Sequence, residues 1–272
     1  MSAFDAGDSG IIRYPAPLIN SRFLRPARIA DMCLILFAVN PSSRYRLIVA
    51  ANRDELYARP TVSAGFWQDY PDLLAGKDEN AGGTWLGITK SGRFSAVTNF
   101  AEQPPEPMPP LSRGDLPLNF LTNRMAPIDY VADVKTRGEQ YRGFNLLVAD
   151  QEAVCYYGNR ASEPRRLDDG YYGLSNQLLD CDWPKVINGR ENLRALAETD
   201  PDNLADSMFD MLMDRGDGRQ YSNSFIASDT YGTRATTVVL IDRDNEIYFE
   251  ERNFGPEGAS LKSQSFSLSS NS

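Results

Sequence analysis

Four pairs of strand-length segments, each joined by a short turn, constrain the fold of this chain most strongly. Residues 33–39 and 47–52 are largely apolar and flank the turn-rich segment Asn40-Pro41-Ser42-Ser43. The other pairs have the same form: residues 84–89 with 94–99, 143–149 with 153–157, and 236–241 with 247–251. Because apolar segments joined by short turns pair as hairpins, this pattern predicts antiparallel sheets.

Helices are predicted between and after these pairs. Residues 127–140 begin with a proline, and residues 183–198 carry apolar side chains that include Val186, Ile187 and Leu193. A third helix is predicted after Asp200-Pro201, a favourable N-cap and first helical position. Apolar stripes of this kind favour core contacts over a cofactor groove. Strands and helices together indicate an α+β fold, of which several sandwich types remain open.

The two ends of the chain differ from its middle. Residues 1–31 contain four arginines and three prolines without periodicity, and are predicted to be a disordered or untranslated extension ahead of Met32. Residues 32–254 are predicted to form the folded domain. Residues 255–272 are rich in serine and glycine and are predicted to be a disordered tail.

Composition excludes several classes of function. The 272 residues include no histidine, which excludes a Ser-His-Asp triad, a Cys-His pair and an HExxH zinc site. A net charge of −9 argues against a nucleic-acid partner. No apolar run approaches the roughly 18–20 residues of a membrane span, so no transmembrane segment is expected. Three cysteines without a CxxC pattern indicate free thiols and a cytoplasmic location, and no metal site is predicted.

Cys33 offers chemistry that needs no histidine. A chain-terminal cysteine carries its own base, an α-amine with an ordinary pKa of about 7.7–8.0. Removal of the initiator methionine from a chain that begins at Met32 would make Cys33 such a residue. The mechanism fails if Met1 is the true start and nothing is removed. The alternative is that Cys33 is a small buried residue of a strand.

An ordered series of short motifs runs through the chain. They are Met32-Cys33-Leu34-Ile35-Leu36-Phe37, Ala51-Asn52-Arg53-Asp54-Glu55, Gly82-Gly83-Thr84-Trp85-Leu86-Gly87, Ala96-Val97-Thr98-Asn99-Phe100, Ser112-Arg113-Gly114-Asp115-Leu116-Pro117, Gly143-Phe144-Asn145-Leu146-Leu147, Gly173-Leu174-Ser175-Asn176 and Tyr231-Gly232-Thr233-Arg234-Ala235-Thr236-Thr237. The series resembles the NRDE family, also called the transport and Golgi organisation protein 2 family, over about residues 32–253.

This resemblance implies a fold and a role. The implied fold is a four-layer αββα sandwich like that of the N-terminal-nucleophile (Ntn) hydrolases, with two antiparallel sheets between helical layers. The implied roles are intracellular haem trafficking and lipid or acyl-CoA homeostasis, without a firmly assigned reaction.

More distantly, the pattern is similar to the choloylglycine hydrolase group of Ntn enzymes, which cleave amides with a leading cysteine. Carried over by position, this resemblance implies that Cys33 is the nucleophile and that Asp54 holds its amine. It also implies that Asn99 and Asn176 support the oxyanion, a task suited to amide donors. The alternative is that both asparagines are turn residues.

Two arginines are further candidates. The resemblance implies that Arg234 stabilises charge near the sulfur, since a nearby guanidinium lowers the pKa of a thiol. Arg53 is a weaker candidate, because neighbouring strand residues point to opposite faces. Arg53 and Asp54 can both face Cys33 only where the strand ends or bulges. The alternative for Arg234 is a structural ion pair.

The motif Asn52-Arg53-Asp54-Glu55 as a whole is predicted to bind a ligand. The alternative is that it is a strand end followed by a surface salt bridge.

Two functions remain open at this point. The first is a carrier that binds a small ligand such as haem or acyl-CoA and requires no cofactor, with haem as cargo. Without histidine, haem iron can be ligated only by Cys, Tyr or Met, or the haem is held by contacts to the porphyrin alone. The second is an N-terminal-cysteine hydrolase acting on a small amide. The family resemblance favours the carrier and the residue chemistry favours the hydrolase; we place the carrier first.

Overall fold

The strands of the chain form two antiparallel sheets within residues 32–102, 111–199 and 202–269, which are the residues described in the computed structural model. In chain order the strands are β1 (Leu34–Val39), β2 (Tyr45–Leu56), β3 (Thr61–Phe66), β4 (Leu73–Asp78), β5 (Leu86–Thr89), β6 (Phe94–Asn99), β7 (Phe144–Ala149), β8 (Val154–Gly158), β9 (Arg165–Arg166), β10 (Gly170–Leu174), β11 (Tyr231–Asp242), β12 (Ile247–Phe254) and β13 (Ser260–Leu268). The helices are α1 (Asp115–Thr122), α2 (Pro127–Thr136), α3 (Pro184–Thr199) and α4 (Leu204–Leu212).

Sheet topology confirms the predicted hairpins. The six-stranded sheet has the order β10-β1-β2-β11-β12-β13, and the seven-stranded sheet has the order β3-β4-β5-β6-β7-β8-β9. Each of the four predicted strand pairs is an antiparallel neighbour pair: β1 with β2, β5 with β6, β7 with β8, and β11 with β12.

Packing of the two sheets produces four layers. On β1, Ile35 and Phe37 point into a core between the sheets, whereas Leu34 and Leu36 point to α3 and α4. Because successive strand residues face opposite sides, a strand buried on both faces is a continuous apolar run, as β1 is. The outer face of the second sheet packs on α1 and α2. The predicted αββα sandwich is therefore confirmed.

Helix α3 approaches the sheet more closely than its apolar residues suggest. Its buried side is formed by Lys185, Val186, Gly189, Leu193 and Ala197. A Cβ atom at Gly189 would lie 2.7 Å from Leu36 Cδ1, so the glycine permits the close contact. Ile187 was expected in the apolar stripe and is instead 36% exposed.

Two predicted boundaries are changed or fall outside the described residues. The predicted helix 127–140 ends as an α-helix at Thr136 and continues as a short 3₁₀ turn, Gly138–Gln140. The predicted cap Asp200-Pro201 lies outside the described residues.

The C-terminal end differs from the prediction of a disordered tail over residues 255–272. Residues Ser260–Leu268 form β13, an edge strand that pairs with β12. Phe249 and Phe266 lie opposite each other, with ring centroids 6.3 Å apart. Any residue except proline can donate a main-chain hydrogen bond to a neighbouring strand, and Phe266 and Leu268 of this serine-rich strand pack against the core.

The described residues belong to one compact unit, Asp31–Ser272. The prediction for residues 1–31 lies outside the described residues. Among the described helices, none combines the length and the apolar character needed to cross a bilayer.

Candidate functional site

Cys33 lies at the mouth of the sandwich, immediately before β1, and lines a cavity of about 620 Å³. This volume is within the range of small-molecule sites. The Cys33 Sγ atom lies 3.8 Å from the main-chain oxygen of Asp54, and Ser175 Oγ donates a hydrogen bond of 2.6 Å to the Cys33 carbonyl. The residue expected to be a nucleophile therefore faces a ligand-sized space.

The NRDE motif at the end of β2 divides between the cavity and the core. Arg53, Asp54 and Glu55 line the cavity with Cys33. Asn52 does not line it: its side-chain nitrogen donates to the carbonyl oxygens of Leu212 and Ser224, at 2.9 and 2.8 Å. Asn52 thus ties the end of α4 to the sheet, and three of the four predicted ligand-binding residues lie at the cavity.

A β-bulge on β11 lies opposite Arg53 and Asp54 of β2. Thr233 pairs with Asp54 and Ala235 pairs with Arg53, so Arg234 is an extra residue on β11. A bulge of this kind bends the strand and increases its twist. The extra residue is on β11 and not on β2, so the alternation of β2 is kept: Arg53 lies over the Trp85 ring, whereas Asp54 Oδ1 accepts a hydrogen bond from Thr233.

The same bulge directs Arg234 away from Cys33. Its Nη1 atom donates to the carbonyl oxygen of Arg59 and to Thr61 Oγ1. Arg234 lines a second cavity of about 250 Å³, and it is not among the residues that line the Cys33 cavity. This placement does not support the expected role of Arg234 beside the sulfur. Arg53 lines both cavities.

Arg53 is held by one aromatic ring and two carboxylates. Its guanidinium lies over the Trp85 ring at 4.2 Å from the centroid, and its Nη2 lies 3.7 Å from Glu55 and 3.8 Å from Asp78. Arg59 contacts Asp78 more closely, with Nε 2.7 Å from a carboxylate oxygen. The charges of this wall are therefore largely paired, so Arg53 contributes shape and hydrogen-bond donors more than net charge.

Asn99 and Asn176 meet where two strands end. Asn99 is the last residue of β6 and lines the cavity. Asn176 follows β10 and is 1% exposed. Its side-chain nitrogen donates to the carbonyl oxygen of Asn99 at 2.9 Å. The structure thus brings both predicted asparagines together, with Asn99 at the ligand space and Asn176 behind it.

A buried polar network supports this junction. Asn145 on β7 donates to the carbonyl oxygen of Ser175 and accepts a 2.7 Å hydrogen bond from the Tyr156 hydroxyl. Thr98 Oγ1 donates to the same Ser175 oxygen at 2.6 Å. Burial raises the pKa of Tyr156 to about 12, so this hydroxyl remains a donor. Sequence reasoning gave Asn145 and Thr98 no role, although each is a polar residue inside an apolar strand, which was the available signal.

Asp54 faces the helical side of its sheet. Its Oδ1 atom accepts a 2.6 Å hydrogen bond from Thr233 Oγ1, which in turn accepts from the Ile226 main-chain nitrogen at 2.9 Å. The Ile226 N–H thus orients the Thr233 hydroxyl toward the Asp54 carboxylate, and this hydrogen bond holds Asp54 beside the start of β1.

Lys185 is a residue of this site that sequence reasoning missed. It is 1% exposed, and its Nζ donates to the carbonyl oxygen of Met32. The Met32 main-chain nitrogen donates to the Tyr231 hydroxyl at 3.0 Å. Burial lowers the pKa of Lys185, while the charges of Asp54 and Cys33 act in the opposite direction. The available signal was spacing: Lys185, Gly189 and Leu193 lie at i, i+4 and i+8, on one helix face.

Metal chemistry was not predicted from the sequence. Within the described part of the chain, no three Cys, Asp or Glu residues are grouped so that they could hold a metal ion.

Comparison with known proteins identifies the family. The family model for Transport and Golgi organisation 2 matches residues 32–256. The Transport and Golgi organization 2 homolog of Mus musculus is 37% identical over 257 residues, covering 82% of this chain and 93% of that protein. The homolog of Homo sapiens is 35% identical with the same coverage. Transport and Golgi organization protein 2 of Drosophila melanogaster is 26% identical, covering 81% of this chain and 91% of that protein.

Among solved structures, a Caenorhabditis elegans N-acylethanolamine-hydrolyzing acid amidase (NAAA) ortholog is similar at a TM-score of 0.42 and 14% identity, covering 76% of this chain and 92% of that one. The family match and the identity to the mammalian relatives confirm the resemblance carried by the motifs. The chain belongs to the Transport and Golgi organisation 2 family.

Proposed function

We propose that this protein is an Ntn-type cysteine hydrolase that cleaves a small amide once Cys33 has become the first residue of the chain. The observation that carries the proposal is that Cys33, Asp54 and Asn99, which are far apart in sequence, line one cavity. A nucleophile, a group to hold its base and an amide donor are the parts that acyl transfer requires.

Each residue has a defined task in this proposal. The free α-amine of Cys33 takes the proton of the thiol, and Sγ attacks the carbonyl carbon of the amide. The Asn99 side chain donates to the oxygen as it becomes negative, and Asn176 keeps Asn99 in place. The amine then passes its proton to the leaving nitrogen. Water hydrolyses the resulting thioester, which releases the acid and restores the thiol.

The test compares two forms of the protein, one that begins at Cys33 and one that retains Met32, each verified by intact mass. A panel of N-acyl amides is assayed by mass spectrometry. We expect hydrolysis and a covalent acyl adduct on Cys33 only in the form with a free amine. Cys33→Ala is the control and should abolish both. Equal hydrolysis by Cys33→Ala, or by the form that retains Met32, contradicts the proposal.

The second candidate is a carrier of haem or acyl-CoA, with no cofactor required and the ligand as cargo. It is supported by the relatives, whose names refer to transport. Among the described residues that line the cavity, Cys33 is the one residue of the Cys, Tyr or Met type, which makes it the candidate iron ligand. Arg113 and Arg142 also line the cavity and suit the phosphates of acyl-CoA.

Titrations separate the two kinds of cargo. Haemin should give a Soret shift with the wild-type protein and none with Cys33→Ala if haem binds here. Palmitoyl-CoA binding measured by calorimetry should weaken in Arg142→Ala and persist in Cys33→Ala if acyl-CoA binds here. No binding of either ligand contradicts the carrier proposal. We also propose a cytoplasmic location, which cell fractionation tests.

A further inference from the structure

Lys185 is a buried cation at the junction where Cys33 joins the preceding residue. Its side chain is 1% exposed, and Nζ donates to the Met32 carbonyl oxygen at 2.5 Å. The Trp183 ring centroid lies 5.9 Å from Nζ. A buried charge is costly unless it is paired, so a lysine is an unusual choice for a helix face that packs on a sheet.

Covalent geometry places this ammonium close to the Cys33 nitrogen. The Met32 oxygen is joined to that nitrogen through one C=O bond of about 1.23 Å and one C–N bond of about 1.33 Å. Since Nζ is 2.5 Å from the oxygen, it lies within about 5 Å of the Cys33 nitrogen. When the chain is cut before Cys33, this nitrogen becomes the α-amine and Lys185 loses the carbonyl oxygen that it contacts.

We propose that Lys185 is a positioning residue for the Cys33 α-amine, and that its ammonium keeps the freed amine in the neutral form that can accept the thiol proton. The proposal rests on the proposed hydrolase function, because only that function needs a neutral amine. It gives the hydrolase a means to tune its base without histidine.

Charged and titratable groups from several elements lie near Lys185 and Met32, the residue that precedes Cys33. Lys185 comes from α3, Asp54 from β2 and Tyr231 from β11, and the Cys33 thiol belongs to the same residue as the amine. The charge of Cys181, which precedes α3, also raises the pKa of Lys185. Asp54 favours a protonated amine, whereas a second cation within about 5 Å disfavours it. The two charges therefore oppose each other, and removal of Lys185 leaves Asp54 to dominate.

The experiment follows the amine directly, without an assay of activity. The protein begins at Cys33, which leaves the compact unit Asp31–Ser272 almost complete, and its cysteines carry ¹³C and ¹⁵N labels. Nuclear magnetic resonance from pH 5 to 10 then records the titration of the α-amine. Lys185→Met removes the charge but keeps the length of the side chain, and Lys185→Arg keeps the charge. Lys262→Met, an exposed lysine on β13, is the matched control.

We expect Lys185→Met to increase the proton affinity of the amine by about tenfold or more. Lys185→Arg and Lys262→Met should titrate like the wild type. An amine that titrates identically in wild type and Lys185→Met, with circular dichroism and melting temperature confirming the fold, overturns the proposal.

A measurement on the wild type covers the case in which Lys185→Met does not fold. In samples labelled with ¹³C at lysine, the Lys185 ¹³Cε resonance should shift at the pH where the amine titrates in the protein that begins at Cys33, and should not do so when Met32 is retained. Identical Lys185 titrations in the two forms overturn the proposal. If the amine titration depends on Lys185 but no amide is hydrolysed, this inference is supported and the hydrolase proposal is contradicted. If amides are hydrolysed but the amine titration does not depend on Lys185, the hydrolase proposal is supported and this inference is contradicted.

Discussion

The Asn176 side chain donates a hydrogen bond of 2.9 Å to the main-chain oxygen of Asn99 and so joins the ends of strands from different sheets. Asn99 ends β6 of the seven-stranded sheet, and Asn176 follows β10 of the six-stranded sheet. The edge of the cavity is thus built across the sandwich, and its geometry depends on how the two sheets are held together.

Loss of this link should destabilise the protein. Asn176→Ala leaves the Asn99 oxygen without this donor, and we expect the free energy of unfolding to fall by about 1–3 kcal/mol. Urea denaturation measures it. Asn119→Ala, at an exposed position of α1, should change stability little. An unchanged urea midpoint in Asn176→Ala would show that the bond contributes nothing.

Trp85 and Gly76 provide a test of the cavity wall. A Cβ atom at Gly76 would lie 2.2 Å from Trp85 Cη2, so Gly76→Ala must displace the ring that packs on Arg53. We expect a loss of about 1–3 kcal/mol in stability and a shift in tryptophan emission. Gly65→Ala on the neighbouring strand has no atom within 4 Å of its Cβ and should alter neither. Equal effects of the two substitutions would refute this prediction.

Glu251 should give the protein a pH-dependent stability. It is 1% exposed and accepts a 2.8 Å hydrogen bond from the Ala64 main-chain nitrogen. Burial raises the pKa of Glu251 above its usual 4.5. Between the unfolded and folded pKa values the folded protein binds more protons, so stability falls as pH rises through that window. Glu251→Gln keeps an acceptor for Ala64 and removes this slope.

Urea midpoints measured from pH 4.5 to 8 check this prediction. As pH rises, the wild type should lose stability relative to Glu251→Gln. A constant difference over the range would mean that Glu251 has the same pKa in the folded and unfolded states.

The three cysteines should differ in reactivity. Burial raises the pKa of Cys155 to about 11 and also raises the pKa of Cys181, which reduces the thiolate that reacts with alkylating reagents. Cys33 instead lines the cavity. At pH 7.5, iodoacetamide should label Cys33 first, as measured by peptide mass spectrometry. Cys33→Ala should remove the fast phase and Cys155→Ala should not; fastest labelling at Cys155 would contradict this order.

The hairpins and the family were predictable from the sequence because they depend on local signals, and the four layers were predictable only as what the family resemblance implies. Apolar segments joined by turns determine which strands pair, as β1 and β2 show, and an ordered series of motifs does not require knowledge of packing. Composition was a poor guide where main-chain pairing decides the outcome. The serine-rich segment Ser260–Leu268 is a strand because β12 presents an edge to it.

The features of the site also fall into those that the sequence predicts and those that depend on tertiary structure. The sequence by itself determined that Cys33 lies at the head of the first strand, that Asn99 and Asp54 belong to matching motifs, and that the chemistry must work without histidine. Only the tertiary structure decided which face each side chain occupies. The bulge at Arg234 turns that residue to a second cavity, and the close packing of α3 carries Lys185 to the Met32 carbonyl. Both depend on the register and approach of elements far apart in the chain, and local propensity carries no information about such contacts.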